Sequence, residues 1–248
     1  MSELLQCRLD GIRVEDATSF HERIAGNIML QNLRPSWLIF ARGFNRPRVV
    51  RNAKRAGDFL GALALLVLLA PLFALVALLI KLTSPGPVFY RQERVGEKGG
   101  VFSVIKFRSM RVEAEAATGP VWSREDRDPR VTWIGRHLRR FRLDELPQLL
   151  NVLRGEMSFV GPRPERPYFV EKLRRVIPYY DERHNVKPGI TGWAQIKFGY
   201  GSTIEDSERK LQFDLYYVKN MSFFLDIAII LDTFKVMLPR WGERSQEG

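Results

Sequence analysis

The sequence has a single cysteine, fewer acidic than basic residues, and no continuous apolar stretch near its start. Its one cysteine, Cys7, permits no intrachain disulfide and no cysteine-based zinc site, which is typical of a reducing compartment. The first 20 residues contain six charged side chains and no continuous apolar stretch, so they predict no secretory signal peptide. A secreted domain held together by disulfides is therefore excluded.

Acidic residues number 28 against 39 lysines and arginines, which gives a formal net charge of +11. This imbalance predicts anionic partners, although charge alone does not choose among phosphates, nucleic acid and a membrane surface. The composition, 45% hydrophobic and 27% charged, is that of a folded protein and excludes wholesale disorder. The length of 248 residues predicts one or two domains with a buried core.

A run of 22 residues from Phe59 to Ile80 contains no charged or amide side chain. As a helix this run is about 33 Å long, and the hydrocarbon core of a bilayer is about 30 Å thick. A helix buried in a soluble core would normally be shorter and amphipathic. The run therefore predicts a membrane segment.

Pro71 lies near the middle of this run, where it removes a helix hydrogen bond and clashes with the preceding turn. Basic residues flank the run on both sides, and the positive-inside rule favours the cytoplasm for both flanks. Each arm spans only about 14 to 18 Å, which is too short to cross a bilayer alone. The pattern predicts a re-entrant helical hairpin, with an ordinary kinked transmembrane helix as the alternative. We assign membrane anchoring to Lys54, Arg55, Asp58 and Pro71.

Beyond the run, the patterns predict a mainly helical α+β domain. Apolar residues at 88–90 and 101–107, around a glycine-containing loop, predict a short β-hairpin. Helical periodicity follows over 131–155, where a glycine predicts the end of the helix, and a further helical stretch lies over 169–180. The apolar segment 221–238 contains three charged residues, so it predicts a helix in the membrane interface or against the core.

An arginine-rich segment directly precedes two adjacent carboxylates, Asp144 and Glu145. Its arginines are Arg130, Arg136, Arg139, Arg140 and Arg142. Such a cluster beside two carboxylates suits a polyphosphate and its metal ion, and Glu145 is a candidate Mg²⁺ ligand. Because proline is tolerated in the first turn of a helix, Pro147 predicts a helix that begins with Asp144 as its N-cap, where the helix dipole keeps the carboxylate ionised. In the alternative, Asp144 is only a cap and the arginines form a solvated face.

Several long motifs, in one order, resemble the bacterial sugar transferases that are monotopic phosphoglycosyl transferases. The motifs are KRAGD at 54–58, KFRSM at 106–110, RFRLDELPQLLNVLRGEMSFVGPRP at 140–164, KPGITGWAQI at 187–196 and DLYYVKN at 214–220. The resemblance extends from about Lys54 to Leu238. It implies transfer of a sugar 1-phosphate from a UDP-sugar to undecaprenyl phosphate, with release of UMP, a Mg²⁺ ion and a covalent phosphosugar-aspartate intermediate.

The resemblance also implies roles for individual residues. It makes Asp144 the nucleophile and gives Mg²⁺ the carboxylates of Glu145 and Asp144 as ligands. The residues that it assigns to substrate binding are Lys106, Arg139, Arg163 and Asp214. Lys106 and Arg139 would pair with diphosphate oxygens, against the alternative that they are merely exposed basic residues. Prolines on both sides of Arg163 hold its backbone extended. This conformation would present Arg163 to a phosphate, and the alternative is a rigid surface turn.

We expect three parts: an N-terminal segment over 1–50, a re-entrant membrane helix over 51–82, and a cytoplasmic catalytic domain with interfacial helices over 83–248. The first part contains a short apolar patch at 37–40 between basic residues. This pattern predicts either a segment that lies in the membrane interface or the remnant of a preceding domain, and the segment resembles the junction after the regulatory domain of longer family members.

The expected activity initiates exopolysaccharide or lipopolysaccharide O-antigen synthesis at the cytoplasmic face of the bacterial inner membrane. The implied partners are a UDP-sugar, undecaprenyl phosphate and membrane lipid. The alternative is a catalytically inactive membrane-associated scaffold for glycan assembly, against which intact Asp144 and Glu145 argue. Nucleic-acid binding would explain the charge but not the uncharged run, so we expect no nucleic-acid partner. The sequence does not identify the sugar, and a homodimer is one oligomeric state that it allows.

Overall fold

The computed structural model describes residues 2–12, 14–33, 43–44, 47–112, 128–198 and 203–237. Within these ranges the chain is mainly helical, as predicted, with two small sheets. The α-helices are α1 (Ser2–Leu9), α2 (Ala17–Ala25), α3 (Arg48–Leu68), α4 (Ala70–Thr83), α5 (Trp133–Arg140), α6 (Gln148–Arg154), α7 (Pro167–Arg174), α8 (Trp193–Lys197), α9 (Ile204–Asn220) and α10 (Phe223–Met237). The strands are β1 (Phe89–Val95), β2 (Val101–Phe107), β3 (Ser158–Val160) and β4 (Gly189–Thr191). Short 3-10 helices cover Leu30–Asn32, Glu97–Gly99, Leu143–Glu145 and Tyr180–Asn185.

The predicted break in the apolar run is confirmed. Helices α3 and α4 are separated by Leu69 and meet at a bend of 62°. Pro71 lies in the first turn of α4, where its missing N–H breaks no helix bond. No described helix is by itself both long and apolar enough to cross a bilayer, whereas α3 and α4 taken together reach that length and composition.

Both arms of this bent helix pack on the rest of the protein. In α3, Ala62 is fully buried in a cluster that includes Val104 of β2. In α4, Ile80 is fully buried in a second cluster that includes Phe107. Other apolar side chains of the pair are exposed, among them Leu60, Leu63, Val67, Leu68, Leu75, Leu78 and Leu82. Each arm therefore has one face on the protein and one apolar face that the described residues leave uncovered.

The predicted β-hairpin is confirmed as an antiparallel pair of β1 and β2. Phe89 lies opposite Phe107, and Val95 lies opposite Val101 across the loop. The first strand extends to Val95, which is beyond the predicted 88–90. Asn151 of α6 holds the helix against this hairpin, because its side chain accepts from the Ile105 N–H (3.0 Å) and donates to a carbonyl of β2 (2.7 Å).

The predicted N-cap role of Asp144 is wrong. Helix α6 begins at Gln148, with Pro147 at the N-cap position, and Asp144 lies in the preceding 3-10 helix. Arg142 starts that turn in the left-handed region, with φ of 52°. The chain therefore enters α6 from a tight turn, whereas an N-cap residue is typically extended. The predicted end of the helix is confirmed at Gly155, which has φ of 82°.

A short parallel ladder brings two of the quoted motifs together. Ser158 pairs with Gly189, and Val160 pairs with Thr191. A Cβ atom on Gly192 would lie 2.2 Å from the Gly161 carbonyl oxygen, so the two loops approach too closely for a side chain. This contact places the GPRP turn directly beside α8.

The remaining helices are partly as predicted. α7 ends at Arg174, and the stretch up to Tyr180 continues irregularly because Pro178 disfavours helix in the residue before it. α10 confirms the predicted C-terminal helix, with Phe224 exposed and Ile229 fully buried. Its position in a membrane interface stays a prediction.

The N-terminal segment packs into the core. Ile28, Leu30 and Leu33 belong to a buried cluster with Phe169 of α7 and Leu215 of α9. The apolar patch predicted at 37–40 lies outside the described residues. Residues 14–33 are therefore an integral part of the fold, whatever domain they derive from.

Candidate active site

Glu145 lies at the centre of a cluster of cations. Lys106 Nζ donates to Glu145 Oε1 at 2.9 Å, and Arg163 Nη2 donates to the same oxygen at 2.8 Å. The second oxygen, Oε2, lies 3.8 Å from Arg142 Nη1. Burial alone would raise the pKa of Glu145, but Arg163 and Lys106 outweigh it and hold this pKa well below its usual range. Glu145 is therefore ionised and firmly positioned.

Asp144 has a different environment from its neighbour. It is 8% exposed, yet no residue in the described ranges donates a hydrogen bond to its carboxylate. Burial raises the pKa of Asp144, although Lys106 and Arg139 partly oppose the effect. A buried carboxylate without hydrogen bonds is poorly stabilised as an anion, and cations around it attract an incoming phosphate. These are properties of a nucleophile for phosphoryl chemistry.

The secondary structure explains how these groups meet. Lys106 projects from β2, and Asn151 fixes α6 to the same strand, which brings the turn before α6 to the lysine. Burial lowers the pKa of Lys106, and Glu145 opposes this shift. Arg142, which has a left-handed backbone conformation, lies two positions before Asp144. Backbone strain of this kind is concentrated at functional sites.

Arg163 is held on several sides. Besides Glu145, its guanidinium donates to Gln195 Oε1 through Nη1 at 3.0 Å. Its own carbonyl accepts from Arg183 Nη2 at 2.9 Å, and the next carbonyl, of Pro164, accepts from Arg94 Nη1 at 2.9 Å. The structure therefore supports the reading of the GPRP turn as one that presents Arg163 to the site.

Arg139 approaches the site from α5. Its Nε donates to Ser109 Oγ at 3.0 Å, and its charge acts on Asp144. The helix can approach Ser109 closely because Gly135 has no side chain: a Cβ there would lie 2.0 Å from the Ser109 carbonyl oxygen. Lys106, Arg139 and Arg163 are thus brought together around the two carboxylates, as the substrate-binding assignment requires.

Asp214 does not join this group. It is 2% exposed and bound by Arg183, whose Nε and Nη2 lie 3.0 and 2.7 Å from Asp214 Oδ2. Arg183 also donates to the Tyr180 hydroxyl at 2.7 Å. Asp214 reaches the site indirectly, because the arginine that it holds supports the Arg163 carbonyl. Direct contact between Asp214 and substrate stays a prediction.

The residues assigned to membrane anchoring have protein partners. Lys54 Nζ donates to Asp226 Oδ2 at 2.5 Å, and Arg55 donates to two carbonyl oxygens at the end of α6, at 2.5 and 2.7 Å. Asp58 accepts from a backbone N–H of β3 at 3.3 Å. These three side chains attach α3 to the region that carries the site. Contact with lipid, by them or by Pro71, stays a prediction.

Four further residues around the site were not predicted from the sequence. They are Arg94, Ser109, Arg183 and Gln195. Ser109 and Gln195 lie inside motifs that the resemblance already covers, so motif membership was a usable signal for them. Arg94 and Arg183 lie outside the quoted motifs, and only the three-dimensional contacts reveal them.

The two carboxylates suit a Mg²⁺ ion that arrives with a phosphate-bearing substrate. Mg²⁺ takes one or two protein carboxylates and completes its shell with phosphate oxygens and water. In the ranges that the structure describes, no group of three or more His, Cys, Asp or Glu side chains could hold a metal. Asp144 and the Oε2 atom of Glu145 are the oxygens that would bind it. The donor set therefore fits substrate-assisted binding of Mg²⁺.

The site is a buried pair of carboxylates surrounded by lysine and arginine side chains, and it lies beside a bent apolar helix. This combination is typical of proteins that act on phosphate-bearing substrates at a membrane. The chain belongs to the bacterial sugar transferase family, whose sequence profile matches residues 49–240. The resemblance seen in the motifs is confirmed.

Individual relatives give the same result. The chain is 40% identical over 242 residues (97% of this chain, 56% of the relative) to UDP-N-acetylgalactosamine-undecaprenyl-phosphate N-acetylgalactosaminephosphotransferase of Aeromonas hydrophila. It is 47% identical over 190 residues (75% and 40%) to UDP-glucose:undecaprenyl-phosphate glucose-1-phosphate transferase of Escherichia coli K12. It is 44% identical over 195 residues (75% and 96%) to exopolysaccharide production protein PSS of Rhizobium leguminosarum bv. phaseoli. The chain thus spans about half the length of the first two relatives.

Proposed function

We propose that this chain transfers a sugar 1-phosphate from a UDP-sugar to undecaprenyl phosphate, with release of UMP. The names of two relatives specify undecaprenyl phosphate as acceptor, with UDP-N-acetylgalactosamine or UDP-glucose as donor. The observation that carries the proposal is the contrast between adjacent carboxylates. Glu145 is bound by two cations, whereas Asp144 lies among the same cations and accepts no hydrogen bond from a described residue.

The proposed reaction has two displacements at one phosphorus atom. In the first, Asp144 Oδ attacks the sugar-linked phosphorus of the donor, the bond from that phosphorus to the bridging oxygen breaks, and UMP leaves with that oxygen. In the second, a phosphate oxygen of undecaprenyl phosphate attacks the same phosphorus and the Asp144 carboxylate leaves. No net proton transfer is needed. A direct attack by the acceptor would use the same electrostatic setting, and the covalent route is the one that the family resemblance implies.

The cations have distinct tasks in this scheme. Lys106 and Arg163 hold Glu145 in place, and Arg163 and Arg139 lie where they can pair with diphosphate oxygens. Mg²⁺ bound by Asp144 and Glu145 would neutralise charge on the diphosphate. Charge neutralisation and positioning supply most of the rate enhancement in phosphoryl transfer.

The bent helix supports a re-entrant placement at the cytoplasmic face of the inner membrane. Near the start of α3, Lys54 and Arg55 bond to the region that carries the site. Just after α4, Ser84 accepts from Arg108 beside β2, at 2.8 Å through its carbonyl and 2.7 Å through its hydroxyl. Two ends attached to one folded unit are expected on one side of a bilayer about 30 Å thick. The exposed apolar faces of α3 and α4 would then contact lipid.

Turnover with a panel of donors tests the function. Purified full-length protein is incubated with Mg²⁺, undecaprenyl phosphate and one UDP-sugar at a time, and UMP release is followed. We expect release with a restricted set of sugars, and we expect EDTA to abolish it. Absence of UMP with every sugar, from folded protein in a lipid environment, would instead support the inactive scaffold for glycan assembly.

Cysteine labelling tests the topology. In a Cys7→Ser background, Val50→Cys and Arg91→Cys place single thiols at exposed positions on the two sides of the bent helix. We expect neither to react with an impermeant maleimide added to intact bacterial cells, and both to react after lysis. Labelling of either position from the periplasm would contradict the re-entrant placement.

A further inference from the structure

The segment that precedes the family match is attached to the active-site region by a specific contact. We call residues 16–33 the strap. Its helix α2 is fixed at Glu22, which is 7% exposed and accepts from Lys219 Nζ (2.6 Å) and Asn220 Nδ2 (2.9 Å) of α9. Further on, the Ile28 N–H donates to the Gln212 carbonyl at 3.1 Å. The strap therefore lies along α9, held by these hydrogen bonds and by the apolar cluster that its residues share with α9.

Between these anchors, the strap contacts α8. The Gly26 carbonyl accepts from Trp193 Nε1 at 2.7 Å. Gly26 adopts φ of 64°, and a Cβ atom there would lie 3.2 Å from the Trp193 ring. Glycine at this position therefore allows both the left-handed turn and the close approach of the indole.

Helix α8 connects the strap to the site. Gln195, two residues after Trp193, accepts from Arg163 Nη1 at 3.0 Å, and Arg163 Nη2 bonds to Glu145. The two arms of one guanidinium are thus divided between Gln195 and Glu145. The Arg163 side chain is 32% exposed, and loss of the bond to Gln195 would remove one of the contacts that orient its guanidinium.

The short length of α8 makes its position depend on such contacts. It has five residues and no side-chain N-cap, and a helix of this length is not stable by itself. Core packing of Ala194 and Ile196 helps to place it, together with the Trp193 indole, which bonds to the strap and stacks on the Tyr216 ring with centroids 5.8 Å apart. A shift of the indole would move Gln195 on the same turn of helix.

We propose that the strap is a positioning element of the active site, which acts through Trp193 and Gln195 to orient Arg163 on Glu145. The inference rests on the proposed function, because its readout is the transfer reaction. Trp193 and Gln195 are positioning residues in this account. The strap lies outside residues 49–240, the region that the family profile matches, so this part of the site's support comes from outside that region.

Two variants of the full chain test the proposal. Gln195→Leu removes the acceptor for Arg163 at similar size, and Trp193→Phe removes the indole N–H but keeps an aromatic ring against Tyr216. We expect kcat to fall about 10-fold or more in the first and several-fold in the second, because loss of orientation acts on the reacting geometry. KM for the UDP-sugar and the melting midpoint should stay near the wild-type values. Gln195→Glu, which keeps an acceptor oxygen, should retain more activity than Gln195→Leu.

The control is Glu171→Gln, at an exposed side chain of α7 that pairs with Arg174 and Arg175 and takes no part in the contacts from the strap through Trp193 to Gln195. It should match the wild-type enzyme in kcat and melting midpoint. Wild-type kcat in Trp193→Phe would overturn the inference, because the strap acts through that indole, and so would a lower melting midpoint with full activity of the folded fraction. Absence of UMP release from the wild-type protein would contradict the proposed function itself. Failure of the proposed function can therefore be distinguished from failure of this inference.

Discussion

Two buried aspartates of this protein, Asp144 and Asp214, have opposite arrangements. Asp214 is 2% exposed, and Arg183 binds its carboxylate through two nitrogen atoms, with Tyr180 on the arginine's third side. Asp144 is 8% exposed, and the part of the chain that the structure describes offers its carboxylate no hydrogen-bond donor.

In the proposed reaction, the difference separates a structural carboxylate from the nucleophile. A carboxylate that a buried arginine binds is held in place, whereas one that lies among cations without hydrogen bonds is available to attack an electrophile. We call Asp214, Arg183 and Tyr180 the closed cluster, and Asp144, Glu145, Lys106 and Arg163 the open cluster. The closed cluster supports the open one through the bond from Arg183 to the Arg163 carbonyl.

The largest effect is expected from Asp144→Asn. This change keeps the shape of the side chain and removes the nucleophile, so UMP release should fall about 10³-fold or more. Because burial raises the pKa of Asp144, loss of its charge should leave stability unchanged or slightly higher. UMP release and the melting midpoint measure the two effects. A variant that loses both activity and fold would place Asp144 among the structural carboxylates.

The matching change in the closed cluster is Asp214→Ala. It leaves Arg183 as an unpaired buried cation, which should destabilise the fold by about 3–5 kcal/mol. Thermal unfolding in detergent measures the loss. Glu171→Gln, at an exposed pair, should leave the melting midpoint near the wild-type value. An unchanged melting midpoint with a raised KM for substrate would instead show that Asp214 binds substrate directly.

A smaller effect is expected from pH, through His184 beside the closed cluster. Burial, reinforced by the charge of Arg183, lowers the pKa of His184 to about 4 from an unfolded value near 6.5. Between these values the unfolded chain binds the proton and the folded chain does not, so stability falls as pH drops from 6.5 towards 4. The loss amounts to at most about 3 kcal/mol.

The histidine can be tested by His184→Gln, which cannot take up the proton. Melting midpoints are recorded from pH 7 to pH 4 for both proteins. The variant should show a shallower decline over this interval than the wild-type protein. Parallel curves for the two proteins would assign the acid sensitivity to other groups.

The sequence predicted the features that local signals determine. The bend next to Pro71, the β-hairpin around the glycine loop and the end of α6 at Gly155 each depend on the conformational preferences of one or two residues. The order of the motifs also indicated five candidate site residues, which the fold brings together: Asp144, Glu145, Lys106, Arg139 and Arg163.

The sequence could not predict contacts between distant segments. The N-cap prediction for Asp144 failed because Arg142 adopts a left-handed conformation, which no composition rule requires of an arginine. Arg183 meets Asp214 across 31 positions, and the strap meets Trp193 across 167. Such contacts depend on the tertiary fold. The polar residues that form them follow no periodic pattern in the sequence, so the sequence does not reveal which residues will pair.

The intact mass of the protein tests the central claim most directly. Full-length protein is exposed to Mg²⁺ and an active UDP-sugar without lipid acceptor, and its mass is measured before and after addition of undecaprenyl phosphate. The account predicts a gain of one sugar phosphate, with one UMP released per protein, mapped to Asp144 and lost when the acceptor is added. An adduct on another residue, or turnover of Asp144→Asn comparable to that of the wild-type protein, would contradict it.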